Sequence, residues 1–210
     1  MYGIDIAKQR IDEQDRQILQ HVLKEEWKVK KCLILGSGEG RISVMLAVLG
    51  FEVVCVDIDD YSDFYNSVNK TFNFKKPIIF IQKDIQKLQK EDHGREFSLI
   101  LGQRVFHYLP YDSHLALMNI LPGYMSKKGF LYTAVSCVDS AMGDGYRPAH
   151  TNTEDRFGLL SPEMQKRFSL YVPVCLYAYK EYKKMMSQTY FKKVALYQTS
   201  FGNIKGIFKI

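Results

Sequence analysis

The fold is decided by one stretch of sequence, Lys31-Cys-Leu-Ile-Leu-Gly-Ser-Gly-Glu-Gly40. Its first half is a short apolar run that ends in glycine, which is typical of a buried parallel strand. Its second half places glycines at alternate positions, 36, 38 and 40. Glycine lets the backbone turn sharply and approach a ligand closely, and a following helix offers unpaired N–H groups in its first turn. The stretch therefore predicts a strand, a ligand-binding loop and a helix.

Strand-like and helix-like segments alternate outward from this stretch. Helical patterns are found at residues 11–27, 42–49, 60–72 and 113–125. Strand patterns are found at residues 31–36, 52–57, 77–81, 97–101, 130–135, 194–199 and 204–210. Phe201-Gly-Asn between the last two predicts a hairpin. We expect an α/β fold, a three-layer sandwich whose mostly parallel seven-stranded sheet carries an antiparallel C-terminal hairpin strand.

Two helical segments carry predictions about their buried faces. Residues 11–27 place apolar side chains on one side at helical spacing, namely Ile11, Ile18, Leu19, Val22 and Leu23. Residues 162–186 are expected to be helical with a break at Pro173, because proline lacks the N–H that a helix interior needs. Their apolar stripe, which we interpret as core, consists of Cys175, Tyr179, Tyr182 and Met186.

Length and composition indicate a cytoplasmic protein of one domain. The 210 residues fit a single domain, residues 1–210, with residues 1–30 as an N-terminal helical extension. Charges interrupt the first thirty residues, so a signal-peptide core is not expected, and no apolar stretch reaches the ~18 residues of a membrane span. The four cysteines lie far apart without zinc-ligand spacing, which predicts buried thiols and no metal site.

A carboxylate follows the second strand at the spacing that a nucleotide site needs. Asp57 lies 21 residues after Gly36, close to the ~20 residues at which an acid accepts hydrogen bonds from ribose hydroxyls. A dinucleotide site would place a third glycine where this sequence has Arg41. A dehydrogenase is therefore disfavoured, and the absence of a second domain for its other substrate points the same way.

The glycine pattern resembles the first motif of class I S-adenosylmethionine-dependent methyltransferases, and the similarity extends over roughly residues 30–210. The stretch from Phe97 to Leu109 is similar to the segment that follows strand four in that family. The resemblance implies that S-adenosyl-L-methionine is the cofactor, with Asp57 on its ribose, Ile58 beside its adenine and Asp84 facing the adenine amino group. Gln103 lies near the end of strand four and is expected to contact either the cofactor or the substrate. The full set predicted to bind the cofactor is Gly36, Ser37, Gly38, Gly40, Asp57, Ile58, Asp84, Ile85 and Gln103.

Two positions depart from the family pattern. An acid usually stands two residues before the first glycine, where this chain has Ile34, and strand four usually begins with an Asp, where it has Ser98. These departures motivate an alternative, a catalytically silent nucleotide-binding or nucleic-acid-binding module that retains the methyltransferase fold.

Methyl transfer needs little beyond alignment, because the cofactor is already activated. His107 and Tyr108 are the candidate catalytic residues, since they follow strand four at the carboxyl edge where open α/β sheets bind ligands. Alternatively, His107 caps or packs the start of a helix. The motifs typical of nucleic-acid base and protein arginine methyltransferases are missing, so a small-molecule acceptor is favoured.

Two further regions carry functional hypotheses. The polar residues 139–161 follow strand five and are interpreted either as a substrate loop or lid, with Tyr146, Arg147 and His150 touching substrate, or as a disordered insertion. The net charge of +6 is concentrated at the end of the chain, where nine basic residues and one acid lie from Lys166 onward. This basic C-terminal face indicates either an anionic polymer or membrane surface as partner, or simply a solvated face.

Overall fold

The structure is a computed structural model that describes residues 11–89, 94 and 96–210. Strands alternate with helices along the chain, as the sequence predicts. The strands are β1 (Lys31–Leu35), β2 (Glu52–Asp57), β3 (Ile79–Gln82), β4 (Phe97–Gln103), β5 (Met125–Ser136), β6 (Lys192–Gln198) and β7 (Asn203–Lys209). The α-helices of the described residues are α1 (Glu13–Lys24), α2 (Arg41–Val48), α3 (Ser62–Phe72), α4 (Tyr111–Ile120), α5 (Pro162–Phe168) and α6 (Tyr179–Met186).

The seven strands form one mixed sheet in the order β3-β2-β1-β4-β5-β7-β6. β1 pairs in parallel with β2 and with β4, and β2 pairs in parallel with β3. β6 and β7 form the antiparallel hairpin, in which Lys192 lies opposite Lys209. The predicted α/β fold class is therefore confirmed. The central strands are buried along nearly their whole length, which explains why they appear in the sequence as continuous apolar runs.

The chain divides into two compact units. Within the described residues, the amino-terminal unit contains residues 11–89, 94, 96–102 and 123–132, and the carboxy-terminal unit contains residues 103–122 and 133–210. The expectation of a single domain over residues 1–210 stays a prediction. Residues 1–10 of the predicted N-terminal extension lie outside the described residues.

The first helix is shorter than its sequence pattern predicts. Asp12 caps it by accepting hydrogen bonds from the backbone N–H groups of Gln14 and Asp15. Ile18 and Val22 are buried as expected, but Leu23 is 69% exposed. Adjacent residues on a helix point about 100° apart, so Leu23 does not share the narrow buried face of its neighbours.

The prediction of a long helical region over residues 162–186 is wrong in its middle. α5 ends at Phe168, where Ser169 adopts a left-handed conformation with φ 49°. The chain then runs extended, with bridges from Val174 to Gly158 and from Tyr177 to Cys137, before α6 begins. Cys175 is therefore buried in this extended segment rather than on a helix. The spacing of four residues between Cys175 and Tyr179 matches a helix by coincidence, because buried residues of an extended segment are apolar as well.

Two smaller boundaries also differ from the sequence pattern. β5 starts at Met125, five residues before the predicted strand. Its first residues include the exposed Lys127 and Lys128, so this part of the strand lacks the apolar pattern on which the prediction depends. A short 3-10 helix, Leu121–Tyr124, holds the predicted interruption at Pro122. No helix in the described part of the chain combines the length and apolarity needed to cross a membrane.

Candidate cofactor-binding site

The carboxyl ends of three parallel strands carry the predicted cofactor residues of the amino-terminal unit. The glycine loop follows β1, Ile58 follows β2, and Asp84 follows β3. Parallel pairing places these strand ends at one edge of the sheet, which is where open α/β sheets bind their ligands. The structure thus brings together residues that are up to 49 positions apart in the chain, from Gly36 to Ile85.

The glycine loop hooks over the end of β2. The N–H groups of Gly36 and Ser37 both donate to the Val56 carbonyl, at 2.8 and 3.2 Å. Gly36 and Gly38 have positive φ angles, 63° and 48°, which side chains disfavour. The loop therefore needs glycine at these positions for backbone conformation.

Gly40 is required for a different reason. It has an ordinary φ of −68° and precedes α2, but a Cβ there would lie 2.7 Å from the Ser37 carbonyl oxygen. At Gly38, by contrast, an added Cβ would meet no atom of the described residues within 4 Å. Gly40 therefore closes the loop on itself, while Gly38 faces open space at the carboxyl edge.

Asp57 links the end of β2 to the loop. Its Oδ2 accepts a hydrogen bond from the Gly38 N–H at 2.8 Å, and its Oδ1 accepts one from the Asp59 N–H at 3.1 Å. Burial raises the pKa of the Asp57 carboxyl, and the hydrogen bonds from Gly38 and Asp59 oppose that rise. A carboxylate has about four acceptor positions, so Asp57 keeps acceptor capacity for a ligand besides these backbone donors.

Asp57 has both apolar and polar residues near it at this edge of the sheet. Ile58 is 47% exposed, which is unusual for an isoleucine next to a buried strand. The Lys83 N–H donates to the Asp57 carbonyl at 2.7 Å, which ties the segment after β3 to the end of β2. Asp84 caps the short helix Ile85–Lys87 by accepting from the Gln86 N–H, and Ile85 is buried beneath it.

The remaining predicted residues near β4 lie in the carboxy-terminal unit. Gln103 is the half-buried last residue of β4. His107 is 2% exposed in the single-turn helix Phe106–Tyr108, and its carbonyl accepts from the Cys175 N–H at 2.8 Å. Burial lowers the pKa of His107 to about 3, and the charge of Arg104 acts in the same direction. His107 is therefore neutral at pH 7, and Tyr108 packs against its ring at 4.4 Å.

Residues 139–161 form ordered structure with a core of their own. They contain three single-turn helices, Ala141–Gly143, Arg147–His150 and Thr153–Asp155. The apolar cluster that they share with the following segment consists of Tyr146, Leu160, Met164, Leu170, Val174 and Leu176. The segment is therefore folded in this structure, and its role as a substrate loop or lid stays a prediction.

The three predicted substrate contacts in this segment differ in exposure. Tyr146 is 2% exposed, and its hydroxyl donates to the carbonyls of Arg156 and Val174. Arg147 and His150 are exposed. The buried Arg156 pairs with Glu181, which in turn accepts from the Ala178 N–H at the start of α6. This ion pair anchors the segment to α6.

Comparison with known proteins finds one family model that resembles part of the chain. A family model described as "Methyltransferase domain" matches residues 33–132, which contain the glycine loop, Asp57 and Asp84. Over residues 33–132 the chain therefore resembles methyltransferase domains, in agreement with the class I S-adenosylmethionine-dependent pattern of its glycine loop. No curated protein matches it.

Solved structures share the methyltransferase fold at low sequence identity. The PH0226 protein from Pyrococcus horikoshii OT3 is 17% identical, with a TM-score of 0.66 over 99% of both chains. A methyltransferase from Clostridium acetobutylicum is 10% identical, with a TM-score of 0.67 over 98% of this chain and 94% of that one. The 1,6-didemethyltoxoflavin-N1-methyltransferase from Burkholderia thailandensis is 13% identical, with a TM-score of 0.66 over 93% of this chain and 76% of that one.

The two departures from the methyltransferase pattern have different structural settings. Ile34 is 4% exposed within β1, between Cys55 of β2 and Leu101 of β4. Ser98 lies at the opposite, amino end of the parallel strands. Its hydroxyl donates to the Lys31 carbonyl at 3.0 Å and accepts from the Lys31 N–H at 3.4 Å. Ser98 therefore joins β4 to β1 away from the cofactor edge. Of the two departures, Ile34 is the one that lies next to the glycine loop in the chain, two residues before Gly36.

Two buried hydroxyls beneath the methyltransferase loop were missed by the sequence analysis. Tyr65 of α3 donates to the Gly38 carbonyl at 2.8 Å, and Ser43 of α2 donates to the Gly40 carbonyl. Tyr65 is 1% exposed and Ser43 is fully buried. In the sequence both look like ordinary helix residues, and only the docking of their helices brings the hydroxyls to the loop.

The basic C-terminal face has the orientation that the helical pattern of α6 predicts. Lys180, Lys183 and Lys184 are exposed, whereas Tyr182 is fully buried and Tyr179 is half-buried. The one acid of the region, Glu181, is paired with Arg156. The lysines of α6 therefore present positive charge to solvent.

Proposed function

We propose that this protein is a cytoplasmic S-adenosylmethionine-dependent methyltransferase that acts on a small molecule. The observation that carries the proposal is the bond between Asp57 and the Gly38 N–H, which sets a carboxylate against a glycine loop at the carboxyl edge of a parallel sheet. The Burkholderia thailandensis relative was solved with 1,6-didemethyltoxoflavin and S-adenosylhomocysteine bound, and this supports a small-molecule acceptor.

The residues of the amino-terminal unit fit the cofactor. The open space beside Gly38 admits a ligand against the backbone, and the remaining acceptor capacity of Asp57 suits a ribose hydroxyl. The exposed Ile58 offers an apolar surface to the adenine, and Asp84 and Ile85 follow the neighbouring strand β3 at the same edge of the sheet. We assign the amino-acid part of the cofactor to the loop residues Gly36, Ser37, Gly38 and Gly40. Gln103 stays a predicted contact of the carboxy-terminal unit.

Bound S-adenosylmethionine supplies an activated methyl group, so the chain has to align the acceptor and exclude water. The catalytic roles of His107 and Tyr108 stay predictions, as do the substrate contacts at Tyr146, Arg147 and His150. A histidine with a pKa near 3 is a weak base at pH 7. The burial of His107 therefore favours acceptors that are nucleophilic without losing a proton to it.

Calorimetric titration with S-adenosylmethionine, S-adenosylhomocysteine and NAD tests the cofactor. We expect both sulfur compounds to bind and NAD not to bind. Turnover assays then separate an active enzyme from a catalytically silent module that retains the fold. Only the active enzyme converts S-adenosylmethionine into S-adenosylhomocysteine in the presence of an acceptor. Absence of binding by either sulfur compound would reject the proposal.

Replacing Asp57 with alanine should weaken S-adenosylhomocysteine binding by roughly 1.5–3 kcal/mol, the usual contribution of hydrogen bonds to a charged group. This corresponds to about a 10- to 150-fold rise in the dissociation constant. The matched control is Asp63→Ala, which removes an exposed carboxylate from the first turn of α3 and should leave affinity unchanged. Equal affinity of folded Asp57→Ala and wild-type protein would contradict the assignment.

Binding of an anionic polymer or membrane surface through the basic C-terminal face stays a secondary prediction. If the three exposed lysines of α6 each contact one phosphate, a Lys180→Gln, Lys183→Gln, Lys184→Gln variant should lower the salt slope of RNA or DNA binding by roughly three units. Cofactor affinity should not change in this variant. Salt-independent binding, or none to RNA, DNA and anionic vesicles, would leave a solvated basic face.

A further inference from the structure

The backbone of Gly38 is held on both sides of its Cα. Its N–H donates to Asp57 Oδ2 at 2.8 Å, and its carbonyl accepts from the Tyr65 hydroxyl at 2.8 Å. The first bond orients the peptide plane before the Cα and the second orients the plane after it. Together they hold Gly38 at its positive φ of 48°. Glycine adopts positive and negative φ about equally readily, so its own sterics would not select this conformation.

The Tyr65 side chain is itself immobilised. It is 1% exposed, and its ring stacks on Phe80 of β3 with centroids 5.2 Å apart and planes 14° apart. The Phe64 ring meets it edge-on at 5.0 Å. Burial raises the pKa of the Tyr65 hydroxyl well above its usual range, so the group stays protonated and available as a donor. A rigid ring thus delivers one hydrogen-bond donor to one loop carbonyl.

The neighbouring loop carbonyl is held in a similar way. The Ser43 hydroxyl and the Ser43 N–H both donate to the Gly40 carbonyl, the latter at 3.2 Å. Ser43 is fully buried, as is the Cys55 side chain in the strand beneath. Both hydroxyls therefore draw loop carbonyl groups towards the interior, and negative carbonyl dipoles are kept away from the open side of the loop.

We propose that Tyr65, assisted by Ser43, is a positioning residue that pre-organises the glycine loop for the cofactor. The inference rests on the proposed function, because it assigns to a buried hydroxyl part of the affinity for S-adenosylmethionine. A loop already held in its binding conformation loses less conformational freedom when the ligand binds. Losing the hydroxyl releases the plane between Gly38 and Glu39 and leaves the carbonyl without its donor.

The test is the affinity of Tyr65→Phe for S-adenosylhomocysteine, measured by calorimetry. The substitution keeps the ring that stacks on Phe80 and removes only the hydroxyl. We expect the dissociation constant to rise about three- to tenfold, the range for one hydrogen bond between uncharged groups. The matched control is Tyr182→Phe, which removes an equally buried hydroxyl, bonded at 2.8 Å to Thr133 Oγ1 in the carboxy-terminal unit. Its affinity should equal that of wild type.

Hydrogen exchange separates positioning from general support of the fold. In Tyr65→Phe, the amides of residues 36–40 should exchange faster, while those of β1 and β2 should keep their protection. Saturating S-adenosylhomocysteine should restore loop protection. Trp27, the only tryptophan of the chain, packs against Phe51 and Phe130 and reports folding of the same unit by fluorescence.

Each outcome decides the proposal. If wild type binds S-adenosylhomocysteine and Tyr65→Phe has the same affinity and the same exchange rates in the loop, the positioning role is overturned. The proposed function is then left intact. No binding by wild type overturns both. If Tyr65→Phe does not fold, Ser43→Ala is measured in the same assays, and unchanged affinity and loop exchange in that variant overturn the proposal.

Discussion

Substituting Gly38 with valine is expected to abolish detectable binding of S-adenosylhomocysteine while leaving the sheet folded. The valine side chain would enter the open space beside the loop, where its Cβ meets no atom of the described residues within 4 Å, and it would displace the ligand. A left-handed conformation costs the side chain about 1–2 kcal/mol of stability with and without ligand, so the loss of affinity comes from steric displacement of the ligand alone. Calorimetry should therefore show no binding at ligand concentrations that saturate the wild-type protein.

Gly50→Val is the matched control for this substitution. Gly50 also has a positive φ, 85°, and a Cβ there would also meet no atom within 4 Å. It lies between α2 and β2, at the amino end of the strand, away from the cofactor edge. Both variants should therefore lose similar stability, and only Gly38→Val should lose binding. Equal affinities of the two variants would place the ligand elsewhere on the protein.

The edge of the sheet that carries the site follows directly from the sequence. An apolar run that ends in Gly36 has its carboxyl end at the loop, and parallel pairing brings Asp57 to the same edge. The positions of Ile58, Asp84 and Ile85 then depend only on which strands pair, which the alternation of elements already indicates. These residues are predictable because a regular sheet converts position along the chain into position in space.

The support beneath the loop is not predictable in the same way. Tyr65 contacts Gly38 only because α3 docks with that one face inward, and nothing in its local sequence distinguishes it from Tyr61 one turn earlier. The role of Ser98 was also obscure, since its distance from the loop depends on which end of β4 it occupies. Side-chain pairing between elements is a tertiary property, and no spacing rule expresses it.

Lowering the pH from 7 to 5 is expected to destabilise the carboxy-terminal unit by about 4 kcal/mol. His107 is 2% exposed and His114 is fully buried, and burial lowers the pKa of each to about 3. The ordinary value of 6.5 applies to both in the unfolded chain, which therefore binds protons that the folded unit excludes. The folded unit is most stable above pH 6.5 and loses stability as the pH falls towards 3, because the unfolded chain becomes protonated while both rings stay neutral in the folded unit. At pH 5 the loss is about 2 kcal/mol for each histidine.

The surroundings of His114 explain why protonation is so unfavourable there. Its Nδ1 is bonded to the Tyr177 hydroxyl at 2.8 Å, and its Nε2 has no hydrogen-bond partner in the part of the chain that the structure describes. Phe106 stacks on the ring at 5.0 Å, and Tyr182 lies at 6.0 Å. No carboxylate among these neighbours compensates a positive charge, and the nearby His107 would add a like charge. Glu181, whose pKa is lowered from 4.5, contributes to acid instability only at lower pH.

Native-state hydrogen exchange of the α4 amides measures this stability, because α4 carries His114 within the unit. After correction for the intrinsic pH dependence of exchange, their protection should fall between pH 7 and pH 5 in wild type. His114→Gln cannot be protonated and should lose about half of this pH dependence, whatever its stability at pH 7. His150→Gln removes an exposed histidine and should keep the wild-type dependence. Constant protection across this pH range in wild type would mean that both buried rings accept protons in the folded protein.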